Sequence, residues 1–398
     1  MNTRPVVAHL LPNYNAFPPI IPAGTELRVE QVGLRQQCYQ PVVICGGFPG
    51  QLAEEEIGAM SVRRIFFSSL YRRLFQKITR LDPFPYGKRM WQRVQAAHAR
   101  ILHIHNEPKL LAMLSPYLGH QPMPVVVHIA NQKPFRSEDI ARVRHFVACS
   151  QFMATWLIKS YGISPDQVDV IYTGVDVSGR LPWWQIDVGQ RQTLRRQWGV
   201  DDPEALVFVF GGRLVQEKGV SEMLDAFAYL CQRSERPMRL LVAGNVRESK
   251  DRNNAKANYG RAMVKKMANI PGVHWVGSLK PADMHSFLVS GDVFMLPSLW
   301  DDPYPTVMLE AAAAGLPIVA AARGGVTEFL QNCPDFEFVK HAEQPESLAS
   351  VMASLAEAPA RRALQGRWLR GVIETQYDWT RVTAEFEALY DRLLTGDF

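Results

Sequence analysis

Short, predominantly apolar segments, with helical patterns between several of them, constrain this chain more than any other feature. They run over residues 6–11, 41–45, 99–105, 124–129, 145–149 and 168–172. A strand with one wet face alternates apolar and polar residues, whereas these do not, as expected of parallel strands buried on both faces. The pattern lapses over 178–192 (SGRLPWWQIDVGQRQ) and restarts at 205–210, 240–243, 273–276, 293–296 and 317–320. The sequence therefore predicts two doubly wound α/β layers in tandem, over residues 1–182 and 183–378, joined by a linker in 178–192. A length of 398 residues suits two such domains. The last stretch, 379–394, reads as an amphipathic helix with Val382, Phe386, Leu389, Tyr390 and Leu393 on one side.

Composition removes several function classes. A 47% hydrophobic, 21% charged chain is globular rather than disordered, and a net charge of +5 is too mild for a dedicated nucleic-acid binder. Cys38, Cys45, Cys149, Cys231 and Cys333 are scattered without a CxxC pair, which excludes a zinc site of that type and fits reduced cytosolic thiols. The apolar run after Arg4 is short for a secretory leader, and the two long uncharged stretches are interrupted by proline. A soluble chain, peripheral to a membrane at most, is expected.

Three motifs carry chemistry. Gly211-Gly212-Arg213-Leu214-Val215-Gln216-Glu217-Lys218-Gly219 follows an apolar strand and precedes a helix expected near Val220. Small residues admit a ligand to the backbone, and two cations with a helix N-terminus can converge on a diphosphate; a turn with two solvated cations reads equally well. In Asp301-Asp302-Pro303-Tyr304-Pro305-Thr306-Val307-Met308-Leu309-Glu310, two carboxylates lie eight positions apart. Glu310 sits between Leu309 and Ala311, so if buried it needs hydrogen-bond partners such as ribose hydroxyls; a capping Asp and an exposed helical Glu would explain the pattern too. Arg323-Gly324-Gly325-Val326-Thr327-Glu328 places a glycine pair after another strand, as a ligand loop or a plain strand-to-helix turn does.

Together these motifs resemble the family 4 glycosyltransferases, retaining enzymes of the GT-B fold. The resemblance rests on the Arg-x4-Lys pair (Arg213, Lys218), the acidic-x7-Glu pair (Asp302, Glu310) and the order G-R-L-x-x-x-K-G, V-A-G, W-V-G-S-L, A-G-L-P-I-V-A and R-G-G-x-x-E. In the first domain, the glycine loop ending at Gly24, and His105 and His128, match more loosely. It implies two Rossmann-like domains facing across a cleft, with residues 379–398 crossing back onto the first. It assigns catalytic roles to Arg213 and Lys218 on the donor diphosphate, to Asp302 at the sugar and to His128 from the first domain. Gly24, Gly212, Gly277, Ser278, Tyr304, Thr306, Val307, Glu310 and Glu328 would bind the donor, with Glu310 on the ribose. Two departures fall at the sugar edge: Asp302 stands where Glu is common, and Pro305 where Gly often supplies an N–H.

The implied activity is transfer of a sugar, with retention, from a nucleotide-diphosphate sugar to a glycan or lipid-linked acceptor in cell-surface polysaccharide or glycolipid assembly. A small soluble acceptor, or a non-catalytic nucleotide-sugar binder, is the alternative. A nicotinamide-dependent oxidoreductase ranks low, because Gly46-Gly47-Phe48-Pro49-Gly50 lacks the required spacing. With no Asp-x-Asp motif, neither a metal bridging the diphosphate nor any other cofactor is expected.

Two further expectations are specific. Residues 61–100 hold Arg63, Arg64, Arg72, Arg73, Lys77, Arg80, Lys88, Arg89, Arg93 and Arg100 against Asp82 alone. With Val62, Phe66, Leu70, Leu74, Ile78 and Leu81 at helical spacing, they predict a helix lying on an anionic membrane surface at the cytoplasmic face, the alternative being a first-domain helix whose apolar stripe is core and whose arginines form a solvated rim. In His103-Ile104-His105 the imidazoles are expected on opposite strand faces, so that they form no ligand pair; His103 reads as interior and Cys149 as a small core residue.

Overall fold

The computed structural model describes residues 4–20, 23–67, 74, 77–78, 85–119, 123–246, 251 and 254–396. The chain divides into two compact units, Met1–Gly174 with Trp379–Phe398, and Val175–Asp378. The division falls at Val175, ahead of the linker expected in 178–192. That segment is packed structure of the second unit: Trp183 N–H donates to the Ala314 carbonyl at 3.0 Å and its indole N–H to the Gly315 carbonyl at 3.1 Å.

The first unit holds strands β1 (Val6–Leu10), β2 (Gln40–Gly46), β3 (Glu54–Ile57), β4 (Met60–Ile65), β5 (Ile101–His105), β6 (Val125–Ile129), β7 (His145–Ala148) and β8 (Val168–Val170) in one sheet, ordered β3-β4-β2-β1-β5-β6-β7-β8. Every pairing is parallel except β3 with β4. The helix α1 (Gly24–Arg35) follows β1. The C-terminal helix Trp379–Thr395 packs against it, burying Trp379, Val382, Phe386, Leu389, Tyr390 and Leu393 with Val7, Val32, Ile101 and Val126. Glu387 accepts from the Gln37 and Cys38 N–H groups at 2.7 and 2.8 Å, which pins this helix to the α1–β2 connection.

Strands β3 and β4 correct the expected membrane helix over its first residues. Val62, Arg63 and Arg64 lie in β4, whose outer part alternates buried and half-buried residues with the period of a strand. Arg64 is buried, 2.7 Å from Glu55, and donates to the carbonyls of Phe17 at 2.8 Å and Leu52 at 3.0 Å. It is a structural cation. Lys88, Arg89 and Arg93 belong to the helix Tyr86–Ala96. Arg72, Arg73, Arg80, Leu70 and Leu81 lie outside the described residues.

The second unit holds β9 (Leu206–Gly211), β10 (Met238–Ala243), β11 (Val273–Gly277), β12 (Val293–Leu296) and β13 (Ile318–Ala320), all parallel, in the order β11-β10-β9-β12-β13. Its core joins Phe208, Phe210, Leu240 and Met295 to the helices Val220–Cys231 and Pro345–Glu357. Among the described residues, no helix is long and apolar enough to cross a membrane.

Candidate functional site

In the second unit the expected motifs follow the carboxyl ends of its strands, the edge where open parallel sheets bind ligands. After β9 the chain turns through Gly212 and Arg213 into a single 3-10 turn, Gln216–Lys218, and reaches the helix Val220–Cys231 through Gly219. Gly219 has φ +65°, and a Cβ there would lie 1.9 Å from the Pro297 carbonyl oxygen. Only glycine lets this loop pass so close to the end of β12. Similarly, a Cβ on Gly244 would meet the Gly212 carbonyl oxygen at 2.1 Å.

The two cations of the loop differ in their surroundings. The Arg213 side chain is exposed and has no hydrogen-bond or ion-pair partner among the described residues. The Lys218 side chain is 14% exposed and forms an ion pair with Asp302, itself 9% exposed. Its ammonium also lies 5.8 Å from the Trp300 ring centroid. The cation expected on the diphosphate and the acid expected at the sugar thus hold each other.

Asp302 is fixed by its own backbone. The Gly325 N–H donates to its carbonyl at 2.9 Å, and a Cβ on Gly324 would meet that oxygen at 2.3 Å. This explains the glycine pair in Arg323-Gly324-Gly325. Glu328 is half-buried on the short helix that follows, Val326–Leu330. The Tyr304 ring turns inward, stacked 6.3 Å from Tyr377 with its hydroxyl 2.8 Å from that of Tyr377, so its ring is a packing element.

Thr306 and Val307 open the helix Thr306–Ala313, whose N-cap Pro305 supplies no side-chain hydrogen bond. Its first N–H groups carry partial positive charge and no intrahelical partner. A Cβ on Gly211 would lie 3.1 Å from Val307, so this helix start sits beside the end of β9. Glu310, one turn on from Thr306, is half-buried, and its carboxylate has no hydrogen-bond partner among the described residues. Burial pushes its pKa up to about 7, opposed by the charge of Arg180. Gly277 has φ +79° with open space where a Cβ would stand, and Ser278 after it is exposed.

In the first unit, Gly24 starts α1 and a Cβ there would meet nothing within 4 Å. His128 is wholly buried near the end of β6, its ring 5.8 Å from that of Phe386, and neither ring nitrogen has a hydrogen-bond partner among the described residues. The expectation for His103 and His105 is corrected: residues two apart on a strand share a face, and their rings stack at 4.0 Å. Register brings His9 beside His103 and His105 beside His128. Sequence reasoning missed His9, which the same parity would have found.

The ligand atoms of His9, His103 and His105 come within 4.8 Å of one another, close enough to hold a metal. The cluster has internal partners: His9 Nδ1 is 3.0 Å from His105 Nε2, His9 Nε2 is 3.1 Å from Gln36 Oε1, and His103 Nδ1 is 2.7 Å from the Tyr390 hydroxyl. Burial first, then neighbouring charges that include Arg28, hold His103 and His105 well below the usual histidine pKa, so these imidazoles are neutral near pH 7. Arg28, buried and bonded to the Thr173 hydroxyl at 3.1 Å, opposes a dication beside it.

Two families match this chain. "Glycosyl transferases group 1" covers residues 190–367 and "Glycosyltransferase Family 4" covers residues 32–178. The lipopolysaccharide 1,2-N-acetylglucosaminetransferase of Salmonella typhimurium is 27% identical over 335 residues, 82% of each chain. Among solved structures, sucrose-phosphate synthase from Thermosynechococcus elongatus aligns with TM-score 0.79 at 15% identity, over 99% of this chain and 100% of that one. The Anabaena protein HepE in complex with UDP and glucose aligns with TM-score 0.73 at 17% identity, over 97% and 99%. These structures share the GT-B fold.

Proposed function

Because this chain belongs to the family 4 glycosyltransferases, we propose that it transfers a sugar, with retention of anomeric configuration, from a nucleoside-diphosphate sugar to a glycan or lipid-linked acceptor. One observation carries the donor reading. Arg213, Lys218, an uncapped helix N-terminus and the partnerless Glu310 carboxylate all follow strand ends at one edge of the second sheet. Cations and N–H groups answer a diphosphate, and a lone carboxylate answers ribose hydroxyls.

The chemistry follows from where charge grows. As the bond between the anomeric carbon and the phosphate oxygen breaks, negative charge builds on the leaving diphosphate. Fixed cations there stabilise the transition state more than the bound donor. Arg213 and Lys218 supply this without a bridging metal, and we assign the chain no metal or other cofactor. HepE is described with UDP and glucose, so uridine donors come first in a panel. With EDTA present, one donor of a uridine, guanosine and adenosine sugar-nucleotide panel should release its nucleoside diphosphate. Release that requires an added divalent ion would overturn the metal-free reading.

The Salmonella relative is named for lipopolysaccharide, which supports an acceptor in cell-surface glycan assembly. Leu74 and Ile78, four apart in helical conformation, are 55% and 80% exposed beside the exposed Lys77. They support contact with an anionic surface. Sedimentation with anionic vesicles should fall when Leu74 and Ile78 become Glu; unchanged binding would remove them from this role.

A further inference from the structure

We propose that Asp302 competes with the donor diphosphate for Lys218, and that this competition makes the site favour a nucleotide carrying a sugar over the bare nucleoside diphosphate left after transfer. The inference rests on the reading that the loop 211–219 receives the diphosphate.

Lys218 and Asp302 are 84 positions apart in sequence, yet their side chains meet in a place that little water reaches. In such surroundings a charge exchanges one partner only for another of similar strength. Arg213, exposed and unpaired, can take a phosphate without giving anything up. Lys218 must first leave Asp302. The two cations therefore do different work: Arg213 captures the diphosphate, and Lys218 joins it by partner exchange.

What becomes of the released carboxylate decides the selectivity. The Asp302 backbone is held by the Gly325 N–H and crowded by Gly324, so the acid moves by rotating its short side chain and stays in the site. When a sugar is attached to the diphosphate, its hydroxyls donate to the freed carboxylate. When only the nucleoside diphosphate is bound, the buried acid is left without a donor. Bare product is therefore penalised more than donor, and re-forming the pair helps expel it once the sugar has gone.

Calorimetric titration of the whole chain tests this, using UDP and UDP-glucose, GDP and GDP-mannose, and ADP and ADP-glucose, and keeping the pair that binds wild type. Asp302→Asn should bind the bare diphosphate about tenfold tighter than wild type and the sugar nucleotide no tighter. The gain should vanish in a Lys218→Ala background, where there is nothing left to compete for. If Asp302→Asn does not fold, Asp302→Ala should show the same gain. Wild-type or weaker diphosphate binding in a folded Asp302 variant, or a gain that survives Lys218→Ala, overturns the proposal. If instead Lys218→Ala alone leaves diphosphate binding unchanged, the underlying placement of the diphosphate is what fails.

Discussion

Arg213→Ala and Lys218→Ala should each lower turnover of the true donor by a factor of a hundred to a thousand, about 3–4 kcal/mol of transition-state stabilisation. The structure separates this loss from a folding defect. Arg213 is exposed and unpaired, so its removal should leave the thermal midpoint where it was. Lys218 holds Asp302, and its removal strands a buried carboxylate, at a cost of roughly 1–3 kcal/mol of stability. The pair of variants thus predicts two similar kinetic losses with one thermal shift between them. Near-normal turnover in Arg213→Ala would mean that the diphosphate lies elsewhere.

Glu310→Gln should make the protein more stable and a poorer binder of donor, both in a pH-dependent way. In the fold this carboxyl titrates near 7, raised by burial from 4.5. Between those values the folded chain keeps a proton that the unfolded chain gives up, so stability falls as pH rises through that window. Glutamine cannot ionise, so the variant escapes the loss. The stability difference should be close to zero at pH 4.5 and grow to at most about 3 kcal/mol at pH 8, in favour of the variant. Binding should move the other way. At pH 8 the charged carboxylate accepts from ribose, and the variant should lose roughly 1.5–3 kcal/mol of affinity for the nucleoside diphosphate. At pH 6, where Glu310 is mostly protonated, the gap should narrow. Thermal melts and titrations at both pH values check this, and equal affinities at pH 8 would remove Glu310 from the ribose.

Much of the fold was legible because parallel strands buried on both faces read as nearly continuous apolar runs, broken in β1, β5 and β6 only by histidines. Strands β1, β2, β5, β6 and β9 to β13 stand where continuous apolar runs place them. Strand β3 was not legible, since Glu54-Glu55-Glu56 at a sheet edge reads as solvated loop. In β4, a period-two alternation was hidden because Arg64 is a buried cation satisfied by carbonyls from distant segments. The sequence 178–192 looked like a linker because its aromatic residues pack on the helix end at Ala314 and Gly315, which no local period reveals.

The site was legible as a set of motifs but not as a set of contacts. Spacing picked out Arg213, Lys218, Asp302 and Glu310, yet it could not show that Lys218 and Asp302 are partners while Arg213 and Glu310 have none. Those states depend on how β9 and β12 lie side by side in the sheet. The histidine face beneath α1 was available from strand parity, and was lost by placing His103 and His105 on opposite sides.

The central claim is sugar transfer with retention from a nucleoside-diphosphate sugar, and proton NMR of the reaction as it proceeds tests it most directly. With the donor that turns over, and EDTA throughout, the account predicts that nucleoside diphosphate accumulates as the donor's anomeric signal falls. The first product signal should have the donor's anomeric configuration. An inverted first product, or no loss of any donor in the panel by a folded chain, would contradict it.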